Sequence, residues 1–216
     1  MSDADTKRLA LVEYWDKRYA NVATDQQVHE WFRSFDDLEP FFARRLFQVR
    51  GPETAPKILH LGSGDSTIPQ DLSRNGYKHQ LCVDFSPVVV ETMSRRDADT
   101  DGISWEQADV RQMDQLPSES VDIAFDKGTL DAMIHGSPWD PPDEVLINTG
   151  RYVREVFRVL KWDATFLYVT YRQPHFIKPL LNLDDLHWDI EVDILGGSDS
   201  SLDYHGFILK KVKPRK

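Results

Sequence analysis

The residues best suited to chemistry in this sequence surround two glycines between positions 60 and 66. This segment reads HLGSGDS, follows a short apolar run and precedes a helical pattern. Glycines here allow the backbone to approach a ligand closely, and the next helix offers free backbone N–H groups. Asp84 ends the next apolar run, 20 residues after Gly64, and a carboxylate at a strand end can accept both hydroxyls of an adenosine ribose. Gly62, Gly64 and Asp84 therefore predict a nucleoside-cofactor site.

The acidity of the loop narrows the choice of cofactor. A dinucleotide fingerprint carries a third glycine where this chain has Thr67, and a pyrophosphate would meet the like charge of Asp65. A cofactor with a positive charge and no phosphate, such as S-adenosylmethionine, fits the acidic loop better. A glycine turn without a ligand is the structural alternative, and the preceding strand and Asp84 argue against it.

Two further places suit an adenosine. Asp109 and Val110 follow the third predicted strand, where an aspartate can accept from the adenine amine and a backbone N–H can meet a ring nitrogen. Phe85, beside Asp84, is placed to lie against the adenine face. The structural alternatives are a turn or cap role for Asp109 and a core position for Phe85.

Apolar runs alternate with helical patterns through the middle of the chain, which indicates a parallel sheet covered on both faces. Near the C-terminus, residues 196–201 (GGSDSS) join two strand-like runs, so the last strand should be antiparallel to its neighbour. The first 50 residues have helical character and many aromatic side chains. Strands are predicted over 57–61, 80–85, 103–107, 121–126, 164–171, 187–195 and 203–211, and helices over 69–75, 87–96 and 143–160.

The chain length favours a single domain. It has 216 residues, of which 40% are apolar and 29% charged, an ordinary globular mixture. The patterns divide it into a helical cap over 1–50, an α/β core over 55–181 and a C-terminal hairpin over 186–211.

Composition excludes several classes of protein. The net charge of −10 argues against nucleic-acid binding, which needs a basic surface. Cys82 is the sole cysteine, which excludes an intramolecular disulfide, and the seven histidines lack ligand spacing, so we expect no metal. Neither a membrane-spanning apolar run nor a signal-peptide stretch is present. A reducing cytoplasmic or nuclear compartment fits this composition, and of the two we expect a cytoplasmic protein. We also expect it not to bind membranes and to be a monomer by default.

Four segments together resemble class I, seven-strand S-adenosylmethionine-dependent methyltransferases. They are ILHLGSGDS at 58–66, VDFS at 83–86, ADV at 108–110 and FDKGTLDA at 125–132. Within that family, DKGTLDA at 126–132, YWDKRY at 14–19 and the WF pair at 31–32 are similar to the branch of eukaryotic elongation factor 1A lysine methyltransferases. The resemblance covers about residues 13–181. It implies a Rossmann-like, seven-stranded sheet with helices on both faces, an antiparallel last strand and an N-terminal helical segment over the cofactor site.

The resemblance also implies roles for single residues. Gly62 and Gly64 would approach the methionyl part and ribose of the cofactor, Asp84 would hold the ribose diol, and Asp109 with Val110 would hold adenine. Three residues of the N-terminal segment would close over the methionine end of the cofactor, and the guanidinium of Arg18 would bind the methionine carboxylate. The three residues are Trp15, Arg18 and Tyr19.

Two positions depart from the family pattern. His60 stands where such loops usually carry Glu or Asp, which weakens the expected contact to the methionine amino group. Asp65 would then have to help with that amino group. Ser66 replaces a third glycine, a change common in this branch.

Asp126 is the candidate catalytic residue. Methyl transfer is an in-line displacement that mainly needs alignment and a dry pocket. A lysine acceptor must first lose its proton, which costs about 4.6 kcal/mol at pH 7 from a reference pKa of about 10.4. Asp126 could orient the amine or take that proton, or it could be a strand-end cap. Lys127, beside it, fits an ion-pair partner better than a catalyst.

The expected reaction is lysine methylation of a protein, with a translation elongation factor as substrate. Aromatic side chains among the first 50 residues pack the helices and could line an acceptor channel, and the segments 135–142 and 171–175 should lie at the same edge of the sheet. The alternatives are a small-molecule methyltransferase, a catalytically silent binding protein of this fold, and a nicotinamide-dependent oxidoreductase. Thr67, the acidic loop and the terminal hairpin argue against the last.

Overall fold

The computed structural model describes residues 3–25, 29–196 and 203–214, with side chains for 5–20, 29–196 and 203–214. Its centre is a sheet of seven strands in the order β3-β2-β1-β4-β5-β7-β6. The strands are β1 (Ile58–Leu61), β2 (Gln80–Asp84), β3 (Ile103–Gln107), β4 (Val121–Lys127), β5 (Leu160–Thr170), β6 (Trp188–Leu195) and β7 (Tyr204–Lys211).

The direction of the strands agrees with the sequence-based expectation. β1 to β5 are parallel, and β7 lies antiparallel between β5 and β6. Of the predicted hairpin connection 196–201, the last five residues lie outside the described residues. The chain leaves β1 toward β2 on one side and reaches β4 on the other. Ligands of open α/β sheets bind at such a reversal of strand order.

Helices precede the sheet and connect its strands. Ser86 accepts a hydrogen bond from the N–H of Val89, and Pro87 opens the helix at 87–96 as predicted. The helices are α1 (Asp3–Arg8), α2 (Val12–Asp25), α3 (Phe35–Phe42), α4 (Ile68–Arg74), α5 (Pro87–Arg96), α6 (Thr129–Ala132), α7 (Asp143–Val159) and α8 (Pro174–Leu181), with a π-helical turn at Ala43–Phe47 and a 3-10 turn at Pro52–Thr54. None of the described helices is long and apolar enough to cross a membrane.

The fifth strand begins four residues earlier than the predicted 164. Val121 pairs with Leu160 and Ile123 with Thr165, so a bulge interrupts the register between them. Asp163 takes φ +64 within this bulge. The charged residues Lys161 and Asp163 break the apolar run that carried the prediction. The backbone nevertheless pairs with β4 on either side of them.

Apolar clusters cover both faces of the sheet and fix its position. One contains Leu59 and Leu81 with Val145, Tyr152 and other residues of α7 and α8. The second packs the aromatic side chains of α3 against the opposite face. Because both faces are covered, ligands can reach the parallel strands only at their ends.

Candidate functional site

A cavity opens at the carboxyl ends of the parallel strands. Its wall contains residues 60–64 and 66 at the end of β1 and in the loop that follows, 84–85 at the end of β2, 108–111 after β3, 125, 127–129 and 131–133 around the end of β4, and 171–172 after β5. Side chains of α1, α2 and the segment before α3 complete the wall. The structure therefore brings the predicted glycine loop, Asp84 and the N-terminal helices to one place.

The two loop glycines adopt backbone conformations that favour glycine. Gly62 has φ +58 and Gly64 has φ +56, in the left-handed region that side chains avoid. A Cβ on Gly62 would lie 2.2 Å from Oγ1 of Thr129, and one on Gly64 would lie 2.8 Å from the Tyr19 hydroxyl. Thr129 donates to the Leu61 carbonyl at 2.8 Å, which ties α6 to the loop. The loop is thus held against its neighbours with no room for side chains.

Asp84 is a buried carboxylate in the wall of the cavity. It accepts backbone hydrogen bonds from Gly64 and Ser86, each at 3.0 Å. Burial raises the pKa of Asp84 to about 6, while the two N–H groups oppose that shift. Two backbone donors leave acceptor capacity on the carboxylate oxygens. Asp84 can therefore bind the hydroxyls of a ligand, as the sequence suggests.

Phe85, Asp109 and Val110 also line the cavity, on the side of β2 and β3. Asp109 is half-buried and accepts from the side chain of Arg111 at 2.7 and 2.9 Å, and the same guanidinium lowers the pKa of Asp109. Arg111 itself belongs to the wall. This pair was not expected from the sequence, and it holds Asp109 charged at the edge of the predicted adenine site.

The three N-terminal candidates lie in different surroundings. Trp15 and Tyr19 line the cavity and stack on each other with ring centroids 5.7 Å apart. The indole of Trp15 donates to the Leu9 carbonyl at 2.7 Å, which fixes α1 beside α2. Arg18 is not in the wall; its guanidinium lies 4.9 Å from the centre of the Trp31 ring, and its buried Nε has no hydrogen-bond partner among the described atoms.

Asp65 and His60 lie next to the predicted methionine end. Asp65 is buried outside the wall; Oδ2 accepts from the His29 N–H at 2.9 Å, and Oδ1 has no partner in the described structure. His60 lines the cavity, and its Nε2 lies 2.8 Å from the Gln80 side-chain oxygen. Because burial lowers the pKa of His60 to about 4, the ring is neutral at neutral pH. Position 60 therefore supplies no negative charge.

Asp126 is fully buried and does not reach the cavity. Its neighbours Phe125 and Lys127 do, since successive side chains of a strand point to opposite faces. The carboxylate accepts from the backbone N–H groups of Thr129 and Leu130 and from the Tyr152 hydroxyl, at 2.8, 2.9 and 2.6 Å. Burial raises the pKa of Asp126 to about 7. The structure thus places it as the group that fixes the start of α6.

Aromatic side chains form the wall around the end of β4. Trp31, Phe32 and Tyr171 all line the cavity, with the Phe32 and Tyr171 rings edge to face at 5.4 Å. Tyr171 is also 42% exposed, so the wall continues to the protein surface there. Asp131 lies in the same wall, where its oxygens accept from the hydroxyls of Tyr168 and Thr170 at 2.7 Å.

Sequence reasoning also missed Glu30 and Asp131. Glu30 pairs with Lys127 at 2.6 Å, and Asp131 meets Arg172 at 3.3 Å. Both pairs join positions far apart in the chain, so no local spacing could reveal them. The expectation that Lys127 is an ion-pair partner agrees with the first pair.

Comparison with known proteins places the chain in a family. The sequence profile described as a methyltransferase domain matches residues 59–168. The chain is 38% identical to the Mus musculus protein named EEF1A lysine methyltransferase 4 over 169 residues, which are 76% of this chain and 62% of that relative. It is 32% identical to the Bos taurus protein of the same name over 206 residues, which are 94% of this chain and 76% of the relative. The chain therefore spans less than two thirds of the mouse relative.

Solved structures agree on the fold. An S-adenosylmethionine-dependent methyltransferase from Methanosarcina mazei superposes with a TM-score of 0.58 at 16% identity, covering 81% of this chain and 98% of its own. The N-methyltransferase NodS from Bradyrhizobium japonicum, solved with S-adenosylhomocysteine, superposes with a TM-score of 0.59 at 12% identity. The superposition covers 82% of this chain and 88% of NodS.

The cavity fits the cofactor of that family. The glycine loop offers backbone without side chains, and Asp84 presents a buried carboxylate with acceptor capacity. The loop carries no lysine or arginine that would mark a phosphate site. On its sequence, its sheet topology and this cavity, the chain belongs to the class I S-adenosylmethionine-dependent methyltransferases.

Proposed function

We propose that this protein methylates a lysine side chain of a translation elongation factor in the cytoplasm. The mouse and bovine relatives are named for this reaction, and the bovine match extends over nearly the whole chain. The wall of the cavity adds a physical reason. Trp31, Phe32 and Tyr171 line the same cavity as Asp84 and form the aromatic wall that a long aliphatic amine would need.

The cofactor would lie along the predicted loop. Gly62 and Gly64 would approach its methionyl part and ribose, and Asp84 would accept hydrogen bonds from the ribose hydroxyls. Asp109 with Val110 would hold adenine, and Phe85 would lie against the adenine face. When bound, S-adenosylmethionine supplies a methyl group already activated on a sulfonium. The chain's own residues then have to align the acceptor and keep water out.

The aromatic wall is the observation that carries the choice of acceptor. Trp31 and Phe32 are partly buried, so an amine between them loses water. Desolvation lowers the pKa of an amine and thereby offsets part of the roughly 4.6 kcal/mol that deprotonation costs at pH 7. After transfer, aromatic faces also favour the methylated ammonium through cation–π contact.

No proton acceptor is needed from the buried acids. The carboxylate of Asp126 lies outside the wall and accepts hydrogen bonds from Thr129, Leu130 and Tyr152. Asp131 is in the wall but is held by two hydroxyl donors. We therefore assign Asp126 a positioning role for α6, and the acceptor amine loses its proton to solvent as it enters the aromatic wall.

The exposed surface of the segment that follows α6 favours a protein substrate. Trp139 is 80% exposed in the proline-rich segment 135–142, and its ring meets Phe176 edge to face at 4.8 Å. Asp140 and Asp143 are exposed beside it. An exposed aromatic residue flanked by acids suits a basic, lysine-bearing segment of a partner.

The test is transfer of a radiolabelled methyl group to purified elongation factor 1A and, separately, to a eukaryotic cell extract. Label on a lysine of the purified factor, with one labelled band of its size in the extract, is the expected result. The matched control is Asp84→Asn, which removes a charge from the cofactor site and should abolish the label. Label confined to the small-molecule fraction of the extract would contradict the proposal and favour the small-molecule alternative.

A further inference from the structure

Residues 29–32, which we call the strap, run from the glycine loop to the end of β4 and place Trp31 and Phe32 in the wall of the cavity. The backbone N–H of His29 donates to Asp65 at 2.9 Å. The Glu30 carboxylate accepts from the Ser66 hydroxyl at 2.8 Å and from the Thr67 N–H at 2.9 Å. One end of the strap is thus attached to the loop proposed to hold the cofactor.

Lys127 attaches the other end of the strap. Its ammonium nitrogen lies 2.6 Å from the carboxylate oxygen Oε1 of Glu30, the second residue of the strap. It also donates a hydrogen bond to the Trp31 carbonyl at 2.5 Å. The side chain of Lys127 is 5% exposed and that of Glu30 is 17% exposed. Burial lowers the pKa of Lys127, and the facing carboxylates of Glu30, Asp126 and Asp65 oppose that shift.

A buried ion pair of this kind is weak support for stability. The cost of removing two charges from water largely cancels their attraction, whereas removal of one partner leaves the other charge uncompensated. Such pairs are best attested where they select one arrangement of the chain over another. The Glu30–Lys127 pair therefore suggests a device that chooses a position for the strap.

The position it chooses brings two aromatic side chains onto the cavity. Trp31 and Phe32 both line the wall of the cavity. Phe32 packs on Gly128 so closely that a Cβ added to Gly128 would lie 2.9 Å from the Phe32 ring. Phe32 has φ +64, an unfavourable backbone conformation for a residue with a side chain. The indole N–H of Trp31 is buried without a hydrogen-bond partner among the described atoms. Both features are energetically unfavourable, so neighbouring contacts must hold the strap in this position.

We propose that the Glu30–Lys127 pair is a latch that keeps the strap closed over the cavity, and that cofactor and product exchange only while it is open. Glu30 and Lys127 are then positioning residues, since they act through Trp31 and Phe32. One carboxylate joins the cofactor loop to the end of β4, so the same latch couples cofactor retention to the shape of the acceptor wall. The inference rests on the proposed function only in taking this cavity as the methyl-transfer site.

The test is the release rate of S-adenosylhomocysteine, measured by stopped-flow tryptophan fluorescence on the full chain. Lys127→Met and Glu30→Gln each remove one half of the latch, and the double variant removes both. Lys161→Met is the matched control, because Lys161 pairs with Asp122 at the other end of β4. Trp31→Phe identifies which part of the signal comes from the strap.

We expect release to accelerate at least tenfold in each single variant and to remain unchanged in Lys161→Met. The double variant should release about as fast as the singles, since the two residues share one interaction. In steady state the KM for S-adenosylmethionine should rise more than kcat falls. Glu30→Gln retains an oxygen for the Thr67 N–H, so it keeps the experiment decisive if Lys127→Met does not fold.

Unchanged release rates, together with a lowered unfolding temperature, would overturn the latch and leave the pair a purely structural contact. The measurement uses the product alone and no acceptor. An elongation factor that is not methylated would therefore refute the proposed substrate without altering these rates, so the two failures can be told apart.

Discussion

Cofactor affinity should depend on pH through Asp84. The pKa of this carboxyl is raised to about 6 by burial in the cavity. Ribose hydroxyls donate to a carboxylate, so they favour the ionised form. Protonation of Asp84 must therefore weaken binding, and the loss must appear as pH falls through 6. The opposite sign would require a ligand that accepts from Asp84.

The size of the effect follows from the ionised fraction. With a pKa of about 6, Asp84 is about 97% ionised at pH 7.5 and about 9% ionised at pH 5. If only the ionised form binds, the Kd rises roughly tenfold between these two conditions, which is about 1.4 kcal/mol. Below pH 5 each further unit adds about another tenfold.

Isothermal titration with S-adenosylhomocysteine across this range measures the effect directly. Asp84→Asn should bind more weakly at pH 7.5 and lose the pH dependence. Both acceptor positions face backbone N–H groups, so the variant also places an amide NH2 against a donor. Asp126→Asn is the control, because Asp126 also titrates but lies outside the wall. A wild-type Kd that is flat from pH 5 to 7.5 would refute the reasoning.

Three further outcomes are expected. Gly62→Ala should lower the unfolding free energy, measured by urea denaturation, by about 2 kcal/mol or more, because φ is +58 and the added Cβ would overlap Thr129. Gly196→Ala is the control: a Cβ there meets nothing within 4 Å, so the unfolding free energy should change by less than about 0.5 kcal/mol. Because the pKa of Asp126 is raised to about 7, its contribution to the unfolding free energy is complete below pH 4 and declines as pH rises to 7, by up to about 1.4 kcal/mol per pH unit. Asp126→Asn should flatten this part of the curve of unfolding free energy against pH. An unchanged slope in the variant would contradict the raised pKa. Trp139→Ala should raise the KM for the protein substrate and leave the KM for S-adenosylmethionine and the unfolding temperature unchanged, since the ring is 80% exposed; an unchanged substrate KM would remove this surface from the proposal.

Local patterns predicted the strands and the cofactor side of the cavity. A strand that ends in glycine or aspartate is visible in a few consecutive residues, and parallel strands bring such ends to one edge. That logic placed Gly62, Gly64, Asp84 and Val110 together, as the structure does. The roles of these four residues toward the cofactor stay predictions.

The direction of individual side chains was beyond the sequence. Asp126 ends a strand at the correct edge, but strand alternation turns it away from the cavity while Lys127 faces it. Arg18 and Asp65 are adjacent to lining residues and still lie outside the wall. Glu30 interacts with positions 36 and 97 residues later in the chain, and no spacing rule covers such contacts.

The pH dependence of turnover separates two origins of the acceptor's proton loss. If Asp126, with a pKa of about 7, took the proton, kcat would rise with pH and level off above 7. If desolvation alone lowers the pKa of the acceptor lysine, kcat at saturating cofactor and substrate should keep rising from pH 7 to 9, because that amine still titrates above neutrality. Asp126→Asn should then preserve the shape of the profile, and it should lower kcat only to the extent that the start of α6 moves. A wild-type plateau above pH 7 that disappears in Asp126→Asn would instead make Asp126 the proton acceptor, which would require the carboxylate to turn into the cavity and give up its bonds to Thr129 and Tyr152.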